Sequence, residues 1–260
     1  MMSFTSDQLI NYISAYFWPF VRISSMLLAA PVFGATRIVP RRIRLMLALA
    51  LTAVIVPMLP PSPDVDPYSA IGVLITAQQM LLGLAMGFML QLSFAALMMG
   101  GASMAMPMGL GFANIVDPQN GVQVPVMSSL FTILGTLLFL SMNGHLMLIQ
   151  VMVNSFTSLP VAPLGLTQEG MLQVALWGGQ IFLGGILIAL PAIIIITLIN
   201  LTFGVMTKAA PQLNIFAVGF PTTMAAGFVV VFLTLPNLLP RFMGMIDDTF
   251  MKLHEILGIA

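Results

Sequence analysis

Residues Ala70–Met106 read AIGVLITAQQMLLGLAMGFMLQLSFAALMMGGASMAM, without one charged side chain. A helix needs roughly 20 apolar residues to cross about 30 Å of hydrocarbon, and this run exceeds that length. It lacks the alternation of a barrel strand, and only helices or closed barrels satisfy their backbone groups in lipid. The stretch therefore predicts a long apolar helix. The same pattern recurs along the chain. No Asp, Glu, Lys or Arg lies between Asp66 and Asp117, Asp117 and Glu169, Glu169 and Lys208, or Lys208 and Arg241.

Composition agrees. Of 260 residues, 59% are hydrophobic and 6% charged, with eight basic residues against eight acidic ones. Mean hydropathy is +1.07. Ordinary soluble domains carry roughly 25% charge, so a soluble enzyme is excluded. A nucleic-acid binder would need a basic footprint, which is absent. With no cysteine, disulfide frameworks, thiolate metal sites and cysteine nucleophiles are excluded as well. An integral membrane protein, or a subunit buried in a larger apolar assembly, remains. The first basic residue is Arg22, too late for a secretory leader, so the first apolar segment is expected to be retained.

Six apolar segments are predicted: Leu9–Phe33, Ile43–Leu59, Ala70–Met106, Val126–Phe156, Met171–Met206 and Leu213–Leu239. Pro60, Pro61, Pro63 and Pro67 stop the second, Pro160, Pro163 and Gly165 end the fourth, and Pro211 precedes the sixth. The expected fold is all-α, a single helical membrane domain over residues 1–260 with glycine and proline breaks. The third and fifth segments exceed one crossing and contain Gly83, Gly87, Gly100, Gly101, Gly178, Gly179, Gly184, Gly185 and Pro191. Gly83-x-x-x-Gly87 permits close helix packing. Arg37, Arg41, Arg42 and Arg44 crowd the first loop and place it in the cytoplasm by the positive-inside rule. Alternation then puts the N-terminus, Asp64, Asp66 and Glu169 outside and Lys208 inside. It also leaves the tail, with Arg241 and Lys252, outside.

No catalytic or cofactor motif is present. Lys208 and Lys252 lie in the wrong context for a phosphate loop. His254-Glu255 begins like a zinc-protease helix, but Gly258 stands where the second His must be. His145, in an apolar run, reads as a satisfied interhelical hydrogen bond, and His254 as a solvated tail residue. Arg22, inside the first segment, either finds a partner, a wet cavity or a pore lining, or snorkels to an interface. Of 23 methionines, eight fall between Met80 and Met108. They are either core fillers or a deformable seal.

The most informative stretch is Met106–Gly121, MPMGLGFANIVDPQNG. Pro107, Gly109, Gly111, Pro118 and Gly121 prevent a plain helix, while Leu110, Phe112, Ile115 and Val116 are apolar. Such a segment suits a buried re-entrant or pore-facing position, with an ordinary interfacial loop as the alternative. Asn114 and Asp117 can hold a folded form through turn hydrogen bonds.

This loop, together with APQLNIF at 210–216 and Gly219-Phe220-Pro221, resembles the FliR family of flagellar type III export-gate subunits. The resemblance covers essentially the whole chain and includes Pro211, Gln212, Asn214 and Phe216. It implies a non-enzymatic, cofactor-free subunit of the bacterial inner membrane and flagellum basal body. Several FliP-type and FliQ-type partners would join it in a helical export channel, with FlhB-type and FlhA-type components associated. Unfolded flagellar subunits would pass through. The resemblance also implies that the loop plugs the closed channel, with Met106, Met108, Gly109, Leu110, Gly111, Phe112, Asn114, Ile115 and Asp117 as its sealing and hinging residues. Much of such an assembly stands above the bilayer, so some apolar segments would face partners rather than lipid. A virulence injectisome subunit is the near alternative. A secondary transporter is the distant one, which the lack of intramembrane carboxylates argues against. An intramembrane enzyme would need a paired nucleophile and base or two clustered acids.

Overall fold

The structure, a computed structural model, describes residues 6–34, 39–110, 126–209 and 215–259, except the side chains of 6–14 and 215–218. Among the described residues every regular element is helical. These elements are α1 (Ser6–Ala29), the single turn α2 (Pro31–Gly34), α3 (Arg41–Ile55), α4 (Ala70–Ala105), α5 (Val126–Ser141), α6 (Gly144–Ser158), α7 (Gln168–Leu176), α8 (Gln180–Ala209) and α9 (Ile215–Leu257), with short 3-10 turns after α3 and α7.

Three stretches are long and apolar enough to cross a membrane: Ala70–Ala105, Gln168–Ala209 and Gly219–Leu257. The bent pair α5 and α6 would make a fourth. The six apolar segments thus yield three or four span candidates among the described residues. α3 has 15 residues, about 22 Å at 1.5 Å per residue, which is short of the hydrocarbon thickness. α1 is long enough but carries Asp7, Asn11 and Arg22.

Boundaries differ most from the sequence reading in the fourth and sixth segments. The fourth segment breaks at Asn143, whose φ of 58° lies in the left-handed region, a conformation that asparagine tolerates better than most residues. The last helix does not stop near Leu239 but runs 43 residues to Leu257, through Pro221, Pro236 and Pro240. Each proline removes one helical donor without ending the helix.

The chain divides into two compact units. The first contains α1–α3, α4 up to Leu92, α6, α7 and α9 from Asp247. Trp18, Ile23, Met26, Leu27, Ile75, Leu82, Met86, Met89, Leu148, Met152 and Phe156 fill its core. α1 and α4 meet backbone to backbone at the two glycines singled out in the sequence. A Cβ on Gly83 would lie 2.2 Å from the Arg22 carbonyl oxygen, and one on Gly87 would lie 2.6 Å from that of Met26. Only glycine fits there.

The second unit contains α4 from Ser93, α5, α8 and α9 up to Ile246. Phe94 packs edge-to-face on Phe139 at 5.7 Å and on Phe242 at 5.5 Å, a favoured arrangement for aromatic rings. Small residues again bring helices close: a Cβ on Gly185 would sit 3.1 Å from the Ala96 carbonyl oxygen, and one on Gly101 would sit 2.8 Å from that of Met127. The methionine-rich stretch is part core and part surface. Met86, Met89, Met104 and Met108 are buried, while Met80, Met98 and Met106 are exposed.

Candidate functional site

The root of the apolar loop is built by the second unit. α4 ends at Ala105, and the chain turns at once, with the Gly109 amide donating to the Met106 carbonyl at 3.1 Å. Gly109 has a φ of 79°, which a residue with a Cβ rarely adopts. Pro107 cannot extend the helix as a donor, and its carbonyl accepts a 2.8 Å hydrogen bond from Asn200 Nδ2 on α8. Met108 is fully buried. Its side chain lies over Gly227 of α9, where an added Cβ would come within 2.6 Å of Met108 Cγ. Leu110 is half-buried.

The root is thus fastened twice, by a polar bond to α8 and by an apolar side chain seated on α9. Met106, grouped with Met108 in the sequence, is instead 70% exposed. Gly111, Phe112, Asn114, Ile115 and Asp117 lie outside the described residues. Asn200 is the member that sequence reasoning missed. Its signal was available: a lone amide inside the run ITLINLTF, where a polar side chain in an apolar helix calls for a partner.

Arg22 occupies a second polar cluster, in the first unit. Its side chain is fully buried. Nε donates to Gln79 Oε1 at 2.7 Å, Nη1 to the Ser155 carbonyl at 2.9 Å and Oγ at 3.1 Å, and Nη2 to the Leu159 carbonyl at 2.8 Å. The guanidinium also lies 4.1 Å from the Phe156 ring centroid. No carboxylate takes part in these contacts. The charge is instead met by the carbonyls at the C-terminus of α6, the negative end of the helix dipole, and by an aromatic face. Snorkelling is thereby overturned: all the polar partners are internal. Trp18 Nε1 donates to Thr76 Oγ1 one turn away, at 3.1 Å.

The arginine-rich loop separates by role. Arg41 and Arg42 are exposed. Arg44 is buried, and its Nη2 donates to the Gly34 carbonyl at 2.8 Å, tying α3 back to the end of α2. Arg37 lies outside the described residues. So do Pro211, Gln212 and Asn214 and the side chain of Phe216. Gly219 is buried and Pro221 exposed within α9.

His145 Nδ1 is buried without a hydrogen-bond partner, so the interhelical bond expected there is not formed through that atom. A ring nitrogen of His254 is 2.7 Å from the Phe250 carbonyl one turn earlier, which makes it a part-buried helix residue rather than a solvated one. Among the described residues no three metal-ligating side chains gather.

Residues 13–249 match the family model described as bacterial export proteins, family 1. The chain belongs to that family. A relative from Escherichia coli strain K12, named flagellar biosynthetic protein FliR, is 36% identical over 258 residues, covering 99% of this chain and 98% of its own length. One of the same name from Pectobacterium carotovorum is 37% identical over 257 residues, with 99% and 98% covered. Another, from Aquifex aeolicus, is 31% identical over 261 residues, with 96% and 95% covered. The resemblance read from the loop and from the APQLNIF stretch is borne out along the whole chain. Bacterial export proteins of this family are flagellar biosynthesis and export components rather than a known enzyme family. The long apolar helices of this member are compatible with a membrane location.

Proposed function

We propose that this protein is a core subunit of the flagellar type III export channel. It assembles with FliP-type and FliQ-type subunits in the bacterial inner membrane at the flagellar basal body, with FlhB-type and FlhA-type components associated. It conducts unfolded flagellar subunits, and it acts as a conduit rather than a catalyst. The observation that supports this reading best is the loop beginning at Met106. Its sequence is apolar and glycine-rich, and its root is fastened at Pro107 and Met108. A seal must exclude water without gripping the passing chain, and an apolar constriction does this by dewetting. It must also swing aside without losing its place, which a fixed root followed by Gly109 and Gly111 allows.

The test of assembly is direct. The chain, tagged and extracted from membranes in mild detergent, should co-purify with FliP-type and FliQ-type subunits as one large complex of defined mass. A lone monomer or dimer that moves a small solute would contradict the proposal and favour a transporter.

A further inference from the structure

α8 carries Pro191 in its interior. In an uninterrupted helix the amide of residue 191 would donate to the Leu187 carbonyl, and proline has no amide hydrogen to give. A carbonyl released in apolar surroundings needs another donor. In this unit the Arg241 guanidinium meets it: Nη1 of Arg241, on α9, donates to the Leu187 carbonyl. We propose that Arg241 supplies the donor that Pro191 withholds, so that the two residues form a latch fixing the course of α8 at Pro191.

Three features support the assignment. Thr234, which lines the gap beside Pro191, spends its donor on its own helix, bonding the Val231 carbonyl at 2.9 Å. That gap, lined by Met104, Ile188, Pro191, Thr234, Asn237 and Arg241, has a volume of about 30 Å³. That is room for about one water and no larger ligand, and the side-chain donor to this carbonyl among the described residues is Arg241. A charge in an apolar helix also calls for a partner. The freed carbonyl gives Arg241 a partner in a run with no other charge between Lys208 and Asp247.

The latch bears on the loop root. Beyond Pro191 the same helix carries Asn200, whose amide holds the Pro107 carbonyl. The course of α8 past Pro191 therefore sets where the loop is fastened. This consequence rests on the sealing role proposed above; the latch itself does not.

A double-mutant cycle on the complex purified with its partner subunits tests the latch. Arg241→Gln should lower the apparent melting midpoint by about 3–6 °C. In the Pro191→Ala background, where the helix supplies its own donor, the same substitution should cost less than about 1 °C. Spin labels at Leu183→Cys and Leu201→Cys, both exposed and on either side of Pro191, should show a distance distribution that Arg241→Gln broadens and that Pro191→Ala narrows again. If Arg241→Gln yields no complex, restoration of assembly by Pro191→Ala supports the latch, and failure to restore it overturns it. Equal losses in both backgrounds, or no loss in either, overturn it as well. A coupled cycle with ion permeability unchanged in all variants would keep the latch and remove its link to sealing.

Discussion

Arg22 shows what a single buried charge costs and does. Three of its nitrogens reach four acceptors on two other helices and the turn after α6. Planar, forked donors can do this and a point-charge ammonium cannot. Arg22→Lys is therefore not conservative. It should destabilise the assembled protein by about 2–3 kcal/mol, through acceptors left unpaired in the core. Arg22→Ala should cost more, because it also leaves a cavity. Both are read from the thermal midpoint of the purified complex. A lysine variant as stable as wild type would show that the network contributes nothing. The need for a partner was legible in the sequence, since an arginine in an apolar run demands one. The partners were not, because Gln79, Ser155 and Leu159 lie 57, 133 and 137 positions away and no local period connects them. Asn200 was legible in the same limited sense.

Helices were legible where composition alone decides them, as in Ala70–Ala105, and illegible where a breaker is overruled. The sixth segment reads as ending at Leu239, just before Pro240, yet α9 continues through Pro236 and Pro240. Proline fixes a φ that helices share and removes one bond, and packing on a buried face of Leu238, Phe242 and Ile246 holds the rest. Glycines divide the same way. Gly83 and Gly178 look alike in sequence, but a Cβ on Gly83 meets Ser25 Oγ and the Arg22 backbone, whereas one on Gly178 meets nothing within 4 Å. Gly83→Ala should thus separate α1 from α4 and lose about 3 kcal/mol or more. Gly178→Ala should be neutral or stabilising by up to about 1 kcal/mol. Denaturation of the two variant complexes side by side checks the contrast. Equal effects would show that the α1–α4 approach is not as close as described. At the loop root, Asn200→Leu should leave the helices assembled and raise ion leak, since it releases Pro107 while Met108 stays seated.

The whole molecule leaves large apolar side chains uncovered along its longest helices. On α8 these include Leu183, Leu187, Leu190, Ile194, Leu198 and Leu201, spaced three or four residues apart as on one helical face. Exposed apolar area on this scale marks contact with lipid or partners. Expressed alone, the chain should aggregate or be degraded, and co-expression of FliP-type and FliQ-type subunits should rescue it. A monodisperse, protease-resistant monomer would contradict this. Arg41 and Arg42 are exposed among the described residues of the arginine-rich loop, and the positive-inside rule predicts that this loop faces the cytoplasm. A cysteine introduced by Ala35→Cys, in a chain that has no other, should resist an impermeant thiol reagent on intact spheroplasts. Strong labelling from outside would reverse the topology.

If the loop from Met106 to Gly121 closes a resting protein channel, its removal must open a path for ions. A complex carrying a deletion of Gly109–Asn120 keeps Pro107 and Met108, and with them both fastenings of the root. It should assemble with its partner subunits. In planar bilayers it should then pass small ions steadily where the intact complex is closed, and cells producing it should grow poorly. A deleted complex that assembles normally and is as tight to ions as wild type would contradict the account.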